Sequence, residues 1–391
     1  MVTRMRSLLR HEEPNIPRPP SPTAASPRRL VIVVGPTAGH VYPALAIADA
    51  YRVACPEVNI CFAGALDGPA ERLLARRGLA LEPIAGSQLA NVGPAARLAA
   101  LSRVVAGLAQ ARRLLRAHGS RLVLGLGGYA SGAVLLAART LGARVAIHEA
   151  NAVPGIANRL LAPLVHRVYL GSSTAAPAFA AARRLVTGHP VRADIAALAA
   201  ERRPPPDRHR AARVLVLSST RGEGFLAART PDLLASVERR GVPVEVLHQT
   251  GEVRADDVAN AYRRAGVKAT VAPYIDEIAS AYRWADLVVA RAGAGTVAEA
   301  AAAGVPALLV PLADAAGDHQ AANAAAVVAA GAGLMVRESA WRGDALAGQL
   351  AAWLGQPAQW SLVAEAARRQ ARPDAAARIV ADCEALMADR W

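Results

Sequence analysis

Short apolar runs recur along this chain, separated by longer stretches with helix-like spacing. Residues 30–34, Leu-Val-Ile-Val-Val, carry no polar side chain, and further runs stand at 58–62, 122–124, 145–147 and 167–170. A strand apolar at successive positions buries both faces, as a parallel sheet between helices requires. A second series begins at 214–217, passes 244–247 and 269–272, reaches 287–289 and closes at 307–310. Helical stretches fill the intervals, among them 43–52, opened by Pro43, and 296–303. Strands alternating with helices predict right-handed β-α-β units. The expected fold class is therefore α/β, with two successive doubly wound Rossmann-like domains facing a central cleft.

The same pattern divides the chain. Residues 1–28 hold six prolines (Pro14, Pro17, Pro19, Pro20, Pro22 and Pro27) with several arginines and no apolar period, the composition of a disordered extension. Around Glu201-Arg202-Arg203-Pro204-Pro205-Pro206-Asp207 the pattern lapses again, which puts a linker at 201–212. It separates a first domain, 29–200, from a second, 213–355. Residues 356–391 read as terminal helices able to pack back on the first domain. A length of 391 residues suits two cores better than one.

Composition narrows the setting. Hydrophobic residues make up 53% of the chain and aromatics 4%, which fits Ala-, Val- and Leu-packed helices over parallel sheets. The apolar runs fall well short of the roughly 20 residues that cross a bilayer, and the N-terminus lacks the apolar core and cleavage site of a secretory signal. Cys55, Cys61 and Cys383 have no metal-ligand spacing and suit a reducing compartment. The expected location is cytoplasmic. Lys plus Arg number 45 against 31 Asp plus Glu, a net charge of +14 supplied almost wholly by Arg. Anionic partners follow, although part of the excess reads as arginines solvated on helix faces. Stacking aromatics are scarce and no nucleic-acid motif is present, so a phosphorylated substrate or an anionic lipid surface fits better than nucleic acid.

The candidate chemistry sits where runs end. After the run at 287–289 comes Arg291-Ala292-Gly293-Ala294-Gly295-Thr296-Val297-Ala298-Glu299, a glycine loop feeding a helix start. Such a start offers unpaired N–H groups and a positive dipole end, and glycine lets a phosphate approach the backbone, so the segment reads as a metal-free diphosphate seat. An ordinary β-to-α turn uses glycine too. Two more glycine loops, Gly35-Pro36-Thr37-Ala38-Gly39-His40 and Gly125-Leu126-Gly127-Gly128-Tyr129, end runs in the first half. No Asp-X-Asp metal motif stands at a strand end.

Several separate motifs, in order, resemble the MurG-type N-acetylglucosaminyltransferases. They are His148-Glu149-Ala150-Asn151-Ala152-Val153-Pro154-Gly155 with Asn158-Arg159, Gly188-His189-Pro190-Val191-Arg192, His248-Gln249-Thr250-Gly251, and Asp318-His319-Gln320 with Asn323. The resemblance runs from about Leu30 to about Leu334. It implies a GT-B fold and a hexosyltransferase with UDP-N-acetylglucosamine as donor substrate and no required cofactor. It also implies a polyprenyl-diphosphate-linked N-acetylmuramyl peptide as acceptor, met at the inner face of the cell membrane. Two loops depart from the family. Pro36 and Ala38 replace glycines of the usual Gly-Gly-Thr-Gly-Gly-His, and Ser218-Ser219-Thr220-Arg221-Gly222-Glu223 stands for the usual Gly-Gly-Ser-Gln-Gly-Ala.

Carried onto this chain, the resemblance implies a donor site lined by Thr37, Gly39, Asn151, Arg192, Thr220, Ile275, Ala294, Gly295, Thr296, Glu299, His319 and Gln320. Within it Glu299 accepts from ribose hydroxyls, the Ile275 backbone reads uracil and Thr220 meets a phosphate. Gly35, Thr37, Gly39, Gly127, Gly128 and Tyr129 belong to the loops meeting the acceptor and its diphosphate. His40, an imidazole suited to take a proton near neutral pH, is the candidate base or acceptor-positioning group, and capping the following helix is its bland alternative. Asp318 is the better cap for the helix after it than His319 or Gln320.

A membrane-facing candidate lies at Leu98, Leu101 and Val105, spaced as on one helix face, with Arg103, Arg112 and Arg113 nearby. The same stripe would serve equally to pack on its own sheet. Two further readings stay open: a MurG-like relative of specialised metabolism with another acceptor or nucleotide sugar, and a nucleotide-sugar-binding protein without turnover.

Overall fold

The computed structural model describes residues 28–66, 69–85, 94–206, 209–218 and 224–388, with the side chains of 94–101 and 129 outside the description. The Pro-rich extension at 1–27 therefore lies outside the described residues. Arg28 is already held: its carbonyl accepts from Asn59 N at 2.8 Å and its guanidinium pairs with Glu384 at 2.7 Å.

The first sheet comprises β1 (Arg29–Val34), β2 (Asn59–Gly64), β3 (Leu81–Pro83), β4 (Leu122–Gly125), β5 (Arg144–Glu149), β6 (Arg167–Leu170) and β7 (Arg184–Val186), all parallel in the order β3-β2-β1-β4-β5-β6-β7. The second comprises β8 (Ala212–Leu217), β9 (Val244–Gln249), β10 (Lys268–Ala272), β11 (Leu287–Ala290), β12 (Ala307–Leu309) and β13 (Gly333–Met335), parallel in the order β10-β9-β8-β11-β12-β13. These are the two doubly wound domains that the alternation of runs predicts.

Strand β1 shows why its run is unbroken. Leu30, Ile32 and Val34 pack on one face with Val41, Leu45 and Tyr51, while Val31 and Val33 pack on the other with Leu115, Val134 and Leu135. Strands β3, β7 and β13 escape the apolar pattern because each has only three residues and lies at a sheet edge. The helix expected from Pro43 begins earlier, spanning Ala38–Ala54 with Pro43 inside it. Proline at an interior position gives up one hydrogen bond, but here the ring is buried in the core and tertiary packing outweighs that loss.

The terminal helices divide between the domains. Helix Pro357–Gln370 stays with the second sheet, where buried Trp360 donates through Nε1 to the Asp286 carbonyl at 2.7 Å. Helix Ala375–Ala388 crosses to the first, burying Ile379, Val380 and Cys383. Arg167 Nε and the Tyr169 hydroxyl both donate to Asp382 Oδ2, at 2.7 and 2.9 Å. The Pro-rich linker also docks: the Arg203 guanidinium donates to the carbonyls of Tyr282, Arg283 and Ala285 at the end of helix Ile278–Trp284. Among the described residues no helix is long and apolar enough to cross a membrane.

Candidate active site

Strand order reverses between β1 and β4 in the first sheet and between β8 and β11 in the second. Open α/β sheets collect ligands beyond the strand ends at such reversals. The glycine loops fall there: Gly35 to His40 follow β1, Gly127 and Gly128 follow β4, and Arg291 to Thr296 follow β11. The loop after β8, with Thr220, lies outside the described residues. Helices Ala38–Ala54 and Ala294–Ala303, which leave β1 and β11, touch across the seam between the domains.

On the first domain, Thr37 occupies the N-cap position, but its Oγ1 stands 2.9 Å from His40 Nδ1 instead of capping a helix amide. Gly35 and Gly127 abut the His40 ring, and Gly128 packs behind Gly35. A Cβ on Gly35 would stand 2.5 Å from Nδ1, one on Gly127 2.7 Å from Nε2, and one on Gly128 2.5 Å from the Gly35 Cα. Gly127 and Gly128 also adopt φ of 105° and 87°, which favours glycine. The space that Gly35 and Gly127 leave is thus filled by an imidazole. Gly39, in contrast, is exposed, and a Cβ there would meet only Thr37 Oγ1, at 3.8 Å. The side chain of Tyr129 is outside the description.

Beyond β5 a buried carboxylate organises the next loop, a role that sequence reasoning missed. Glu149 accepts from Asn151 N at 3.0 Å, Gly155 N at 2.9 Å and Asn158 Nδ2 at 2.8 Å. Its identity with the family motif was the only signal. Asn151 Oδ1 accepts from Asn323 Nδ2, so Asn151 stands at the seam. His148 and His189 are buried beside it, ring centroids 5.3 Å apart. Burial lowers both, His189 to about 4, and the charge of His40 acts in the same direction.

On the second domain, Gly293 caps helix Ala294–Ala303 with no side-chain hydrogen bond and no acidic residue in the first turn. Its leading amides are open to an anion. Gly295 has room: a Cβ there would meet only His189 Nε2, at 3.7 Å. Glu299, further along the helix, accepts from the buried Tyr282 hydroxyl at 3.0 Å. Burial raises its carboxyl to about 7, while that hydrogen bond and the charge of Arg192 pull it down. Arg192 itself forms a two-pronged pair with Asp194, at 3.1 and 2.6 Å.

The remaining expected residues are partly committed to the protein. Ile275 N donates to Gln249 Oε1 at 2.9 Å, so its amide already has an acceptor. Gln320 Oε1 accepts from Leu312 N at 3.0 Å, leaving its NH2 group as the available end, and His319 Nδ1 lies 2.8 Å from the Ala316 carbonyl. Asp318 does hold the N-cap position, yet in the left-handed region at φ 55° and with no capping bond. Its carboxylate pairs with Arg337 at 2.6 Å, which outcompetes the helix amides. Arg291 faces inward, donating to the Val310 carbonyl and pairing with Glu338.

Comparison with known proteins accords with this geometry. The model of the glycosyltransferase family 28 N-terminal domain matches residues 30–170, and that of the family 28 C-terminal domain matches 213–379. The curated UDP-N-acetylglucosamine--N-acetylmuramyl-(pentapeptide) pyrophosphoryl-undecaprenol N-acetylglucosamine transferase of Acidithiobacillus ferrooxidans is 42% identical over 354 residues, covering 90% of this chain and 96% of its own. Its Magnetococcus marinus counterpart is 37% identical over 362 residues, with 91% and 96% covered. Among solved structures, Acinetobacter baumannii MurG superposes with a TM-score of 0.75 at 29% identity, covering 92% of this chain and all of the other.

Proposed function

The chain belongs to glycosyltransferase family 28, and we propose that it transfers N-acetylglucosamine from UDP-N-acetylglucosamine to a polyprenyl-diphosphate-linked N-acetylmuramyl peptide, with inversion, in the seam between its domains. One observation carries the reading. The open, Gly293-capped helix start with Glu299 along it faces the His40 loop across the two points where strand order reverses.

In this reading the diphosphate rests on the amides of Ala294, Gly295 and Thr296, with Thr220 and the Arg192 guanidinium adding contacts. The helix dipole and Arg192 supply the counter-charge to the leaving UDP, so the reaction runs without a metal, and a chelator leaves its rate unchanged. Glu299 accepts both ribose hydroxyls, the Ile275 carbonyl and the Gln249 amide meet uracil, and Gln320, His319 and Asn151 hold the donor sugar. The acceptor hydroxyl attacks the anomeric carbon as the bond to the diphosphate breaks, and His40 takes or orients its proton. The role of Gly35 and Gly127 is to hold that imidazole, with Gly128 behind Gly35, while Thr37 and exposed Gly39 border the acceptor.

A lipid-linked acceptor needs a membrane surface, and the first domain offers one on adjoining helices. Ile156, Leu160 and Leu164 form an exposed stripe at four-residue spacing, beside exposed Val105 and Leu136. Arg103, Arg113, Arg139 and Arg159 are exposed with them, a pattern that suits anionic headgroups. The stripe differs from the one expected within helix Pro94–His118. Leu108, Ala111 and Leu115 of that helix pack inward, Arg112 is tied to Thr140 Oγ1 at 2.7 Å, and the side chains of Leu98 and Leu101 lie outside the description. The direct test of the activity is incubation with UDP-N-acetylglucosamine and a short-chain lipid-linked N-acetylmuramyl peptide. Transfer supports the reading, and donor binding without transfer opposes it.

A further inference from the structure

Two imidazoles at the seam are buried without the pairing that buried polar atoms almost always have. His189 is 6% exposed and its Nδ1 has no hydrogen-bond partner; His148, 2% exposed, hydrogen-bonds the Gly188 backbone while its Nε2 has none. The His189 backbone is tightly set. Gly188 holds φ 89°, a Cβ there would stand 2.4 Å from Arg372 Cβ, and Pro190 follows. This fixed turn directs the ring into the seam, with Nε2 3.7 Å from the Cβ position of Gly295 in the first turn of helix Ala294–Ala303. Thus a first-domain imidazole edge and the open amides of a second-domain helix converge on the same few ångströms.

We propose that His189 is a binding residue for the donor diphosphate, its Nε2 edge donating a hydrogen bond to a phosphate oxygen held at the start of helix Ala294–Ala303. The inference rests on the donor reading above and adds to it a direct link from the first domain to the leaving group. The titratable groups that face His189 are His148 from β5 and His40 from helix Ala38–Ala54, with Arg372 against Gly188; Arg192, paired with Asp194, follows three positions along the chain, and Glu299 stands four positions beyond Gly295 on the helix of the second domain. In the protein alone, burial and the His40 charge keep the ring neutral. A phosphate anion at Nε2 reverses that balance and favours the imidazolium, which strengthens the hydrogen bond.

The test is calorimetric titration of the full chain with uridine, UMP and UDP, for the parent, His189→Ala and His189→Asn, in buffers of different ionisation enthalpy. His189→Ala is expected to weaken UDP about 10- to 100-fold while uridine stays within about twofold. At pH 6 the parent takes up roughly half a proton more per UDP than either variant. His189→Asn, which fills part of the same space and donates without titrating, keeps part of the UDP affinity and loses that extra proton. Equal weakening of uridine and UDP would mark a purely structural role, and unchanged UDP affinity or proton uptake in the variants would equally overturn the proposal. Failure of the parent to bind UDP at all removes the donor reading itself, a result distinct from UDP binding that ignores His189.

Discussion

Asn323 Oδ1 accepts the backbone amide of Ala152 at 2.8 Å, so one side chain of the second domain holds the loop that follows β5 of the first. Its Nδ2 donates to Asn151 Oδ1 at 3.2 Å and to the Ala292 carbonyl at 3.0 Å. A single saturated amide ties together the two loops that frame the seam. Each buried group left unmatched by truncation costs about 1–3 kcal/mol. Asn323→Ala should therefore lower Tm and reduce kcat by roughly tenfold or more, through loss of positioning. Asn323→Asp, which keeps the shape but cannot donate, should behave nearer to alanine than to the parent; thermal unfolding and steady-state transfer rates measure both.

The glycine cradle of His40 separates acceptor chemistry from donor binding. Gly127→Ala puts a Cβ 2.7 Å from His40 Nε2 at a φ of 105°, so the ring must move. Transfer should fall by roughly tenfold or more while UDP affinity, to which neither Gly127 nor His40 is assigned a contact, changes little. Parallel loss of UDP binding would place His40 in a different role.

With Glu299 in the proposed donor site, donor binding should depend on pH. Only the carboxylate accepts both ribose hydroxyls, and in the protein alone the group titrates near 7 because burial raises it. Below that pH, binding must first remove a proton, so UDP affinity should weaken by up to about tenfold per pH unit as the solution is acidified. Above it, affinity levels off. The stability sign is opposite: between the ordinary 4.5 and about 7 the native carboxyl keeps a proton that the unfolded chain has lost, and stability falls as pH rises through this window. Glu299→Gln should bind UDP weakly, lose this component of the pH dependence, and gain more in Tm at pH 8 than at pH 5.

The proposed membrane surface rests on Ile156 and Leu160, which helix Ile156–Leu161 leaves almost bare. Ile156→Asp with Leu160→Asp should cut binding to vesicles containing anionic lipid several-fold and raise the KM for a long-chain acceptor. The rate with a short-chain, soluble acceptor should stay close to the parent's. Equal loss on both acceptors would point to damaged folding instead.

How much of this was legible in the sequence follows from where each residue's partners lie. Val31 to Val34 announce a doubly buried strand because the cause is local and repeated, whereas Leu81, Arg184 and Gly333 begin edge strands too short to show any period. The glycine-capped helix could be read from spacing alone, since a helix start is a property of consecutive residues, whereas a role for Glu299 came only with the family resemblance. His189 and Asn323 stand in recognisable motifs, but the roles proposed for them depend on neighbours 106 and 171 positions away in the chain, Gly295 and Ala152, which no spacing encodes. Asp318 has the position of a cap, but Arg337, close in space through β13, takes its carboxylate.

The most direct measurement is a crystal structure of this protein with UDP-N-acetylglucosamine bound. The expected result is the diphosphate on the amides of Ala294 to Thr296, the ribose on Glu299, and the sugar turned toward His40 across the seam. A donor seated elsewhere, or one whose diphosphate avoids the start of helix Ala294–Ala303, would contradict it.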